Sequence, residues 1–478
     1  MFKVYCLRKN YFLSVFSLLL SMGFLLGFSS CSTSEDREIT FFGGKIKNPK
    51  DRYVYLSRNK QVIDSALLDD HNKFAFELDS VKEGLYLFNH GPEFQYLYLE
   101  PTDSVLLYLN TWDFDESLIF SGKGSAKNNF LINLYLQQER TEKSFKENYK
   151  LEEEEFAQLI DKGIQKQLEA YNEFLDGQEN APSAQFDKLA KTGIYFPFYF
   201  MKEYYPFNYM WMHKTKEFPE LSDEFYAYRE GLDLNDPDLT GYETYFVYIR
   251  TYLYHLAHRT KFLDPNSSNV ELNFMEQVED KITLSGLKDR LLATSAWRSL
   301  SNEQMTPEQH RQVEEFFFSH CGNPEMKEEL KMSIDQKAKL KTGERLPNFT
   351  VIDSKGEPVM VNQLAQNSTS VIYFWPKDMM QVEMVNEKLD KLQKKFPEIR
   401  FIGIERSREQ EDWKRFIESK NLVAENQFKI TKDQECYSWF AGDMARSILV
   451  SKDGKVQNSY LFFTDKYFDM HLEDLNKK

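Results

Sequence analysis

The hydrophobic pattern of this chain is strongest between residues 343 and 475. Residues 371–375 are five consecutive apolar residues, mostly of β-favouring types, which predicts a strand buried on both faces. Residues 400–404 predict a second strand of this kind. Apolar residues recur between them at three- and four-residue steps, which predicts a helix, at Met384, Val385, Leu389, Leu392 and Phe396. Strand, helix and strand in this order predict a βαβ unit of a parallel sheet.

Residues 37–338, which precede this region, show different hydrophobic patterns. Residues 37–125 alternate between apolar and polar types in short stretches separated by turn residues, as in 53–56 and 96–99, which predicts an antiparallel β-sandwich. Residues 126–338 have a helical period and no convincing strand. We therefore predict three domains: a β-sandwich over 37–125, a helical domain over 126–338 and an α/β domain over 339–478.

Residues 1–31 have the pattern of a targeting segment. Basic residues precede an apolar stretch over 11–28, and Ser29-Ser30-Cys31 follows it. This resembles a bacterial lipoprotein signal and implies that Cys31 carries a lipid and becomes the first mature residue. The alternative is an uncleaved transmembrane anchor. Both interpretations place the protein in the cell envelope with a membrane as partner, and the acidic stretch 32–36 resembles signals that direct lipoproteins to the outer membrane.

The charge of the chain bears on its partners. The 478 residues carry a formal net charge of −15. A nucleic-acid partner requires a basic face, so this balance argues against one. The hydrophobic content of 41% is sufficient for several packed cores.

The order of segments from 343 to 475 carries a resemblance. After the two buried strands come the apolar residues 448–450, the turn Lys452-Asp453-Gly454-Lys455 and a closing helix around Leu472. This resembles the thioredoxin fold of TlpA-like thiol–disulfide oxidoreductases. Residues 37–125 are similar to the β-domain of uncharacterised function that often precedes that fold. Phe120-Ser121-Gly122 is one of the segments that carry this similarity. The resemblance implies a thioredoxin-like α/β domain.

The chemistry of that family is missing from this sequence. The family has Cys-x-x-Cys after the strand that ends in Phe-Trp, at a helix start where the helix dipole lowers the thiol pKa. Here that turn contains no cysteine and reads Pro376, Lys377, Asp378, Met379, Met380. Where the resemblance implies a cis-proline facing the turn, this chain has Ala445. Methionine forms no thiolate and cannot exchange disulfides.

The vestigial turn suggests a binding role. We expect Trp375, Lys377, Asp378 and Arg446 to lie around the groove beside the turn and to hold a protein or peptide of the envelope, without cofactor or metal. The alternative for these charges is a solvated loop without function. The rival function is a thiol–disulfide oxidoreductase with residual activity through Cys436 or in complex with a partner.

Three further features have both a functional and a structural interpretation. The aromatic residues between 195 and 211 could line a ligand groove, but a dense aromatic run favours a packed core. His255 and His258 have a spacing that can bind one metal, but no carboxylate or cysteine accompanies them at ligand spacing. Cys321 and Cys436 could form a disulfide, although isolated thiols are favoured because they lie in different predicted domains.

The lipoprotein interpretation predicts the effect of one substitution. Cys31→Ser removes the only thiol that the lipid can modify, so the variant should stay uncleaved or leave the membrane fraction. Membrane fractionation and the mass of the mature N-terminus measure this. Processing and membrane binding equal to the wild type would contradict the prediction.

Overall fold

The computed structural model describes residues 38–59, 61–91, 93–263, 268–302, 304–376, 379–406, 408–430, 445–463 and 468–476. Cys31, Lys377, Asp378 and Cys436 lie outside these ranges. Within the ranges, no helix has the length and apolar character needed to cross a membrane.

The N-terminal domain is a sandwich of two four-stranded sheets. Its strands are β1 (Ile39–Lys47), β2 (Tyr53–Arg58), β3 (Gln61–Leu67), β4 (Lys73–Asp79), β5 (Gly84–His90), β6 (Glu93–Leu99), β7 (Ser104–Asn110) and β8 (Ile119–Lys123). The strand orders are β4-β1-β7-β8 and β3-β2-β5-β6. Aromatic rings fill the space between the sheets, and the centroid of Phe42 lies 5.5 Å from that of Phe74 and 5.8 Å from that of Phe88.

The prediction that this sandwich is antiparallel throughout is wrong for one pair of strands. β1 pairs with β7 in parallel, from Phe41 opposite Ser104 to Lys47 opposite Asn110. Alternation identifies strands and their inward faces, but it does not identify which strand lies beside which. Parallel neighbours need a long crossover connection, and here the second sheet provides it because β2, β3, β5 and β6 lie between β1 and β7 in sequence.

The central domain is helical, as its period predicts. A short α1 (Phe114–Ser117) precedes β8, and the helices after it are α2 (Ser125–Phe145), α3 (Glu153–Asp176), α4 (Ala184–His213), α5 (Glu243–Leu263), α6 (Val270–Lys281), α7 (Ser285–Ser301), α8 (Pro307–His320) and α9 (Pro324–Lys339). Short 3-10 helices over Lys146–Lys150, Glu224–Arg229 and Pro237–Leu239 connect them. The described residues from 125 to 339 contain no strand.

The longest helix, α4, contains two prolines, Pro197 and Pro206. Pro197 has no backbone N–H, so the carbonyl of Gly193 cannot receive its usual helical hydrogen bond. The side chain of Gln138 in α2 donates a hydrogen bond to that carbonyl instead. Gly193 also permits this close approach, because a Cβ there would lie 2.9 Å from Cδ2 of Leu134.

The C-terminal domain is built on a seven-stranded sheet with the order β10-β9-β13-β12-β11-β14-β15. The strands are β9 (Thr350–Ile352), β10 (Pro358–Met360), β11 (Ser370–Phe374), β12 (Arg400–Glu405), β13 (Gln427–Lys429), β14 (Arg446–Val450) and β15 (Val456–Phe462). The helices are α10 (Val361–Leu364), α11 (Met379–Lys395), α12 (Gln410–Ser419) and α13 (Phe468–Asn476), and a 3-10 turn covers Ala424–Asn426.

β11 is central in this sheet and all its residues are buried. It pairs in parallel with β12, with Ile372 opposite Ile402, and helix α11 connects the two strands. β14 lies antiparallel on its other side, and β15 pairs antiparallel with β14. The predicted βαβ unit is therefore confirmed. Val371 and Tyr373 pack with helices α11 to α13, whereas Ile372 and Phe374 pack into a second core on the opposite face.

One residue of the predicted apolar face of α11 is placed differently. The side chain of Met384 is 39% exposed, whereas Val382 is fully buried. The buried residues Val382, Val385, Leu389, Leu392 and Phe396 follow alternating three- and four-residue steps. Met384 does not fit that series, so the helix turns it away from the sheet.

The burial of β11 predicts a large destabilisation for Phe374→Ala. The ring is 4% exposed, and its removal leaves a cavity in the core, so the free energy of unfolding should fall by about 3–5 kcal/mol. Denaturant titration followed by tryptophan fluorescence measures it. Met384→Ala on α11 is the control, and a loss for Phe374→Ala no larger than that of the control would contradict the prediction.

Candidate functional site

Trp375 directly follows β11, and its side chain is part of the core. The indole is 3% exposed, and its Nε1 donates a hydrogen bond of 2.9 Å to Oε1 of Gln427. Nε2 of Gln427 donates in turn to the hydroxyl of Tyr373 at 3.1 Å. The ring of Phe416 packs edge-on at 4.9 Å. The prediction that Trp375 presents a binding surface is therefore wrong, because these partners enclose it.

A glycine makes room for these hydrogen bonds. Gly403 of β12 faces the Trp375–Gln427–Tyr373 group, and a Cβ there would lie 2.2 Å from Oε1 of Gln427 and 2.7 Å from the hydroxyl of Tyr373. Any side chain at this position would force the amide away from the indole. The sequence predicts position 403 only as part of a buried strand. The requirement for glycine arises from the hydrogen-bonded Trp375–Gln427–Tyr373 group that faces it.

The turn after Trp375 leads from β11 to α11, and residues 376–380 contain no cysteine. Pro376 is buried, and the backbone N–H of Trp375 extends the ladder by donating to the carbonyl of Ile404 at 3.0 Å. Helix α11 begins at Met379, so Met380 lies in its first turn. The expected binding residues Lys377 and Asp378 lie outside the described residues. The strand end and the helix start are thus placed as the resemblance implies.

Ala445, which the resemblance places where a cis-proline would stand, is a core residue. It is 3% exposed, packs in the same core as Leu449 and Leu461, and accepts a hydrogen bond of 2.8 Å at its carbonyl from the N–H of Phe463. The described residues contain no cis peptide bond. The alanine side chain fills the core here and provides no polar group for a substrate.

Arg446 does not lie on an exposed groove either. Its side chain is 3% exposed, and its guanidinium lies 4.8 Å from the ring centroid of Tyr460 in β15. Burial is the main cause that lowers the pKa of this guanidinium below its ordinary value. The charge of Arg406 lowers this pKa further, and the carboxylate of Glu329 acts in the opposite direction. Glu329 belongs to α9 of the helical domain. The prediction of an exposed Arg446 is wrong because the residue lies where two domains pack.

A charged pair that the hydrophobic pattern did not reveal lies at the end of β12. The carboxylate of Glu405 is fully buried, accepts hydrogen bonds from the backbone N–H of Arg406 at 2.8 Å and of Arg408 at 3.1 Å, and pairs with the guanidinium of Arg408. That guanidinium also stacks over Phe416, 4.1 Å from the ring centroid. Ligands of open α/β sheets bind at the carboxyl ends of parallel strands, where this pair lies. In the sequence, the signal for this pair is a glutamate that directly follows a predicted buried strand.

Arg408 is the member of this group that keeps some contact with solvent, since its side chain is 16% exposed. Its charge is largely matched by Glu405, so the pair offers hydrogen-bond donors without a strong net field. Such a group can bind a peptide carbonyl or carboxylate, and it contains no nucleophile.

The two histidines belong to the helical domain. His255 is buried, with Nδ1 2.8 Å from Oε2 of Glu203, a carboxylate that also pairs with Arg229. Burial and then the charge of Arg298 lower the pKa of His258 to about 4. No three His, Cys, Asp or Glu residues within the described ranges are arranged to hold a metal. The structural interpretation of His255 is confirmed, because it completes a buried ion-pair network.

The thiol of Cys321 is isolated. This residue follows α8, is 2% exposed and carries a free thiol whose Sγ lies 3.8 Å from the carbonyl of Asn323. Burial raises the pKa of this thiol above its ordinary value. A buried thiol with a raised pKa is a poor nucleophile. Cys436 lies outside the described residues.

The aromatic run in α4 is mainly core, as favoured from the sequence. Phe196, Phe198 and Tyr205 are 8%, 4% and 1% exposed. Tyr204 and Trp211 are the exposed exceptions, at 45% and 65%. The rings pack against neighbouring helices, as shown by the 4.2 Å between the centroids of Tyr205 and Phe156 in α3.

Comparison with known proteins finds thioredoxin-fold structures. No protein-family model matches the sequence, and no curated protein is significantly similar to it. A thiol:disulfide interchange protein from Bacteroides sp. is 26% identical over 29% of this chain and 92% of its own, with a TM-score of 0.25. The thioredoxin domain of a thiol-disulfide oxidoreductase from Bacteroides vulgatus is 26% identical over 28% of this chain and 98% of its own, with a TM-score of 0.25. At these scores, the fold assignment rests on the strand order and pairing described above.

The close contact at Gly403 predicts the outcome of a small substitution. Gly403→Ala should displace Gln427, break its bond to Trp375 and lower the free energy of unfolding by about 1–3 kcal/mol. Denaturant titration and tryptophan emission measure both effects. Because Gln427→Ala removes the obstructing amide, the double variant should lose less than the sum of the single losses. Strictly additive losses would show that the two side chains do not compete for this space.

Proposed function

We propose that this chain is a lipid-anchored protein of the cell envelope whose thioredoxin-like domain binds a protein or peptide partner without thiol chemistry. The observation that carries the proposal is the turn from β11 into α11. It has the strand end and the helix start of a redox turn, but its residues 376–380 contain no cysteine. The fold can present a peptide-binding edge independently of the redox centre.

The state of the sulfur atoms supports a non-catalytic role. Dithiol exchange needs one accessible thiolate and a second thiol that resolves the mixed disulfide. Cys321 is buried in another domain with a raised pKa, so it meets neither need. Cys436 would have to act alone, which is the rival function of a residual or partner-assisted oxidoreductase.

Two of the four binding residues that the sequence suggested are not part of the proposed contact surface. Trp375 and Arg446 are enclosed, so their role is to position the turn and the neighbouring strand rather than to touch a partner. We propose that Lys377 and Asp378, together with the partly exposed guanidinium of Arg408, make the contacts. Opposite charges in the turn would favour a peptide with both donors and acceptors over a purely anionic ligand.

The first experiment separates binding from catalysis. We expect the purified mature protein to show no dithiol-dependent reduction of insulin, because no described thiol can start the reaction. Replacing both Cys321 and Cys436 with Ser should leave capture of envelope partners unchanged. Insulin reduction that Cys436→Ser abolishes would overturn the proposal in favour of the oxidoreductase.

The same capture assay locates the contacts. Lys377→Ala with Asp378→Ala should weaken capture with folding unchanged. Arg408→Lys keeps a charge beside the buried Glu405 but removes the guanidinium fork, so it should weaken capture without the cost of an unpaired carboxylate. Arg415→Lys is the matched control, since this arginine of α12 is 76% exposed and pairs with Asp412. Equal capture by all variants would place the binding surface elsewhere.

A further inference from the structure

The outer face of one sheet in the β-sandwich carries an unusual row of side chains. Lys73 of β4 lies opposite Lys45 of β1, Lys45 lies opposite Tyr108 of β7, and Tyr108 lies opposite Ile119 of β8. Paired residues on neighbouring strands point to the same face, so this row crosses the whole sheet. Its two apolar members are exposed, Tyr108 by 44% and Ile119 by 61%.

Two further residues extend the row at the same end of the sheet. Lys47 is exposed and follows Lys45 on the same face of β1. Its carbonyl accepts a hydrogen bond of 3.2 Å from the N–H of Thr111, which places the next residue, Trp112, nearby. Trp112 is 75% exposed. We call these six residues the outer sheet surface.

We propose that the outer sheet surface binds the anionic headgroups and interfacial region of a lipid membrane. Tryptophan and tyrosine favour the boundary between headgroups and acyl chains, because one end of each ring system is apolar and the other polar. Lysines beside them add attraction to anionic lipids.

The outer sheet surface has a local excess of positive charge. The chain as a whole carries −15, yet the row and its extension contain three lysines and no carboxylate. Within the described part of the chain, Lys45, Lys47 and Lys73 form no ion pair with a carboxylate, whereas many other lysines do, such as Lys391 with Glu387. Asp113 and Glu116 are exposed in the turn after β7, and Glu77 and Asp79 are exposed on the same face of β4 as Lys73, so the cationic part is confined to one end of the sheet.

The start of the chain supports a membrane as the occupant. This argument rests on the proposed lipid anchor at Cys31. Only residues 32–38 separate Cys31 from the first residue of β1, and seven residues reach about 25 Å at most. β1 carries Lys45 and Lys47, so the anchor would hold the sandwich within one domain diameter of the bilayer. The lipid confines the domain, and the outer sheet surface would orient it.

The test uses the chain from Ser32 to Lys478, which lacks the anchor but keeps every described residue. The probes are vesicles of phosphatidylcholine with and without one-third phosphatidylglycerol, and binding is measured by co-sedimentation. We expect binding to the anionic vesicles only, weakened at about 0.5 M salt because exposed charges are then screened. Since this chain has no lipid, the result does not depend on whether Cys31 is modified.

Variants assign the binding to particular residues. Changing Lys45, Lys47 and Lys73 to Gln should weaken binding to anionic vesicles by more than about 10-fold, because each lysine near such a surface contributes about fivefold. The control changes Lys162, Lys166 and Lys216 to Gln, three exposed lysines of the helical domain. Trp112→Ala should lower the partition coefficient, whereas Trp211→Ala, at a tryptophan that is 65% exposed, should leave it unchanged.

Three results would overturn the proposal. The first is the absence of binding to anionic vesicles at low salt. The second is binding that the lysine and Trp112 variants weaken no more than their controls do. The third is a dimer in sedimentation velocity that Trp112→Ala dissociates, without vesicle binding, because the outer sheet surface would then be a contact between two copies of the chain. Chemical denaturation of each variant shows whether a loss reflects unfolding instead.

Discussion

The burial of β11 on both faces is the constraint on which the C-terminal domain depends. Its five residues have no exposed side, so alternate side chains must enter two separate cores. Tyr373 points toward α11 and α12, and Phe374 toward the opposite core. A strand with these requirements can lie only at the centre of a sheet covered on both sides. That central position requires a neighbour on each side, and β12 provides one in parallel and β14 the other antiparallel.

The same strand accounts for the burial of Trp375. Trp375 continues the alternation of β11, so it enters the core with Tyr373, and Gln427 satisfies the polar atoms of both rings. Gly403 leaves the space for that amide. A buried polar group is stable when its members are hydrogen-bonded, as they are here. The space around Trp375 is therefore filled by side chains, and Phe416 packs against both Trp375 and the charged Arg408.

The helical domain changes what the sheet can expose. Tyr460 and Phe462 of β15 pack against the core of the helical domain, and Arg446 is enclosed beneath them. One face of this edge strand is thus covered by the helical domain. Trp375, directly after β11, and Arg446, at the start of β14, are both enclosed. On the sandwich, by contrast, Tyr108, Ile119 and Trp112 remain exposed.

The sequence alone determined the strands and helices with strong apolar periodicity, because that periodicity reflects local burial. Residues 371–375 and 400–404 predicted the βαβ unit, and the turn without cysteine excluded a dithiol centre there. Tertiary structure decided which side chains are accessible: Arg446 is polar by type but enclosed by another domain, and Met384 is apolar but exposed. It also decided that β1 lies parallel to β7. Partners distant in sequence set strand neighbours and side-chain exposure, and a periodic pattern contains no information about which distant segment will be the partner.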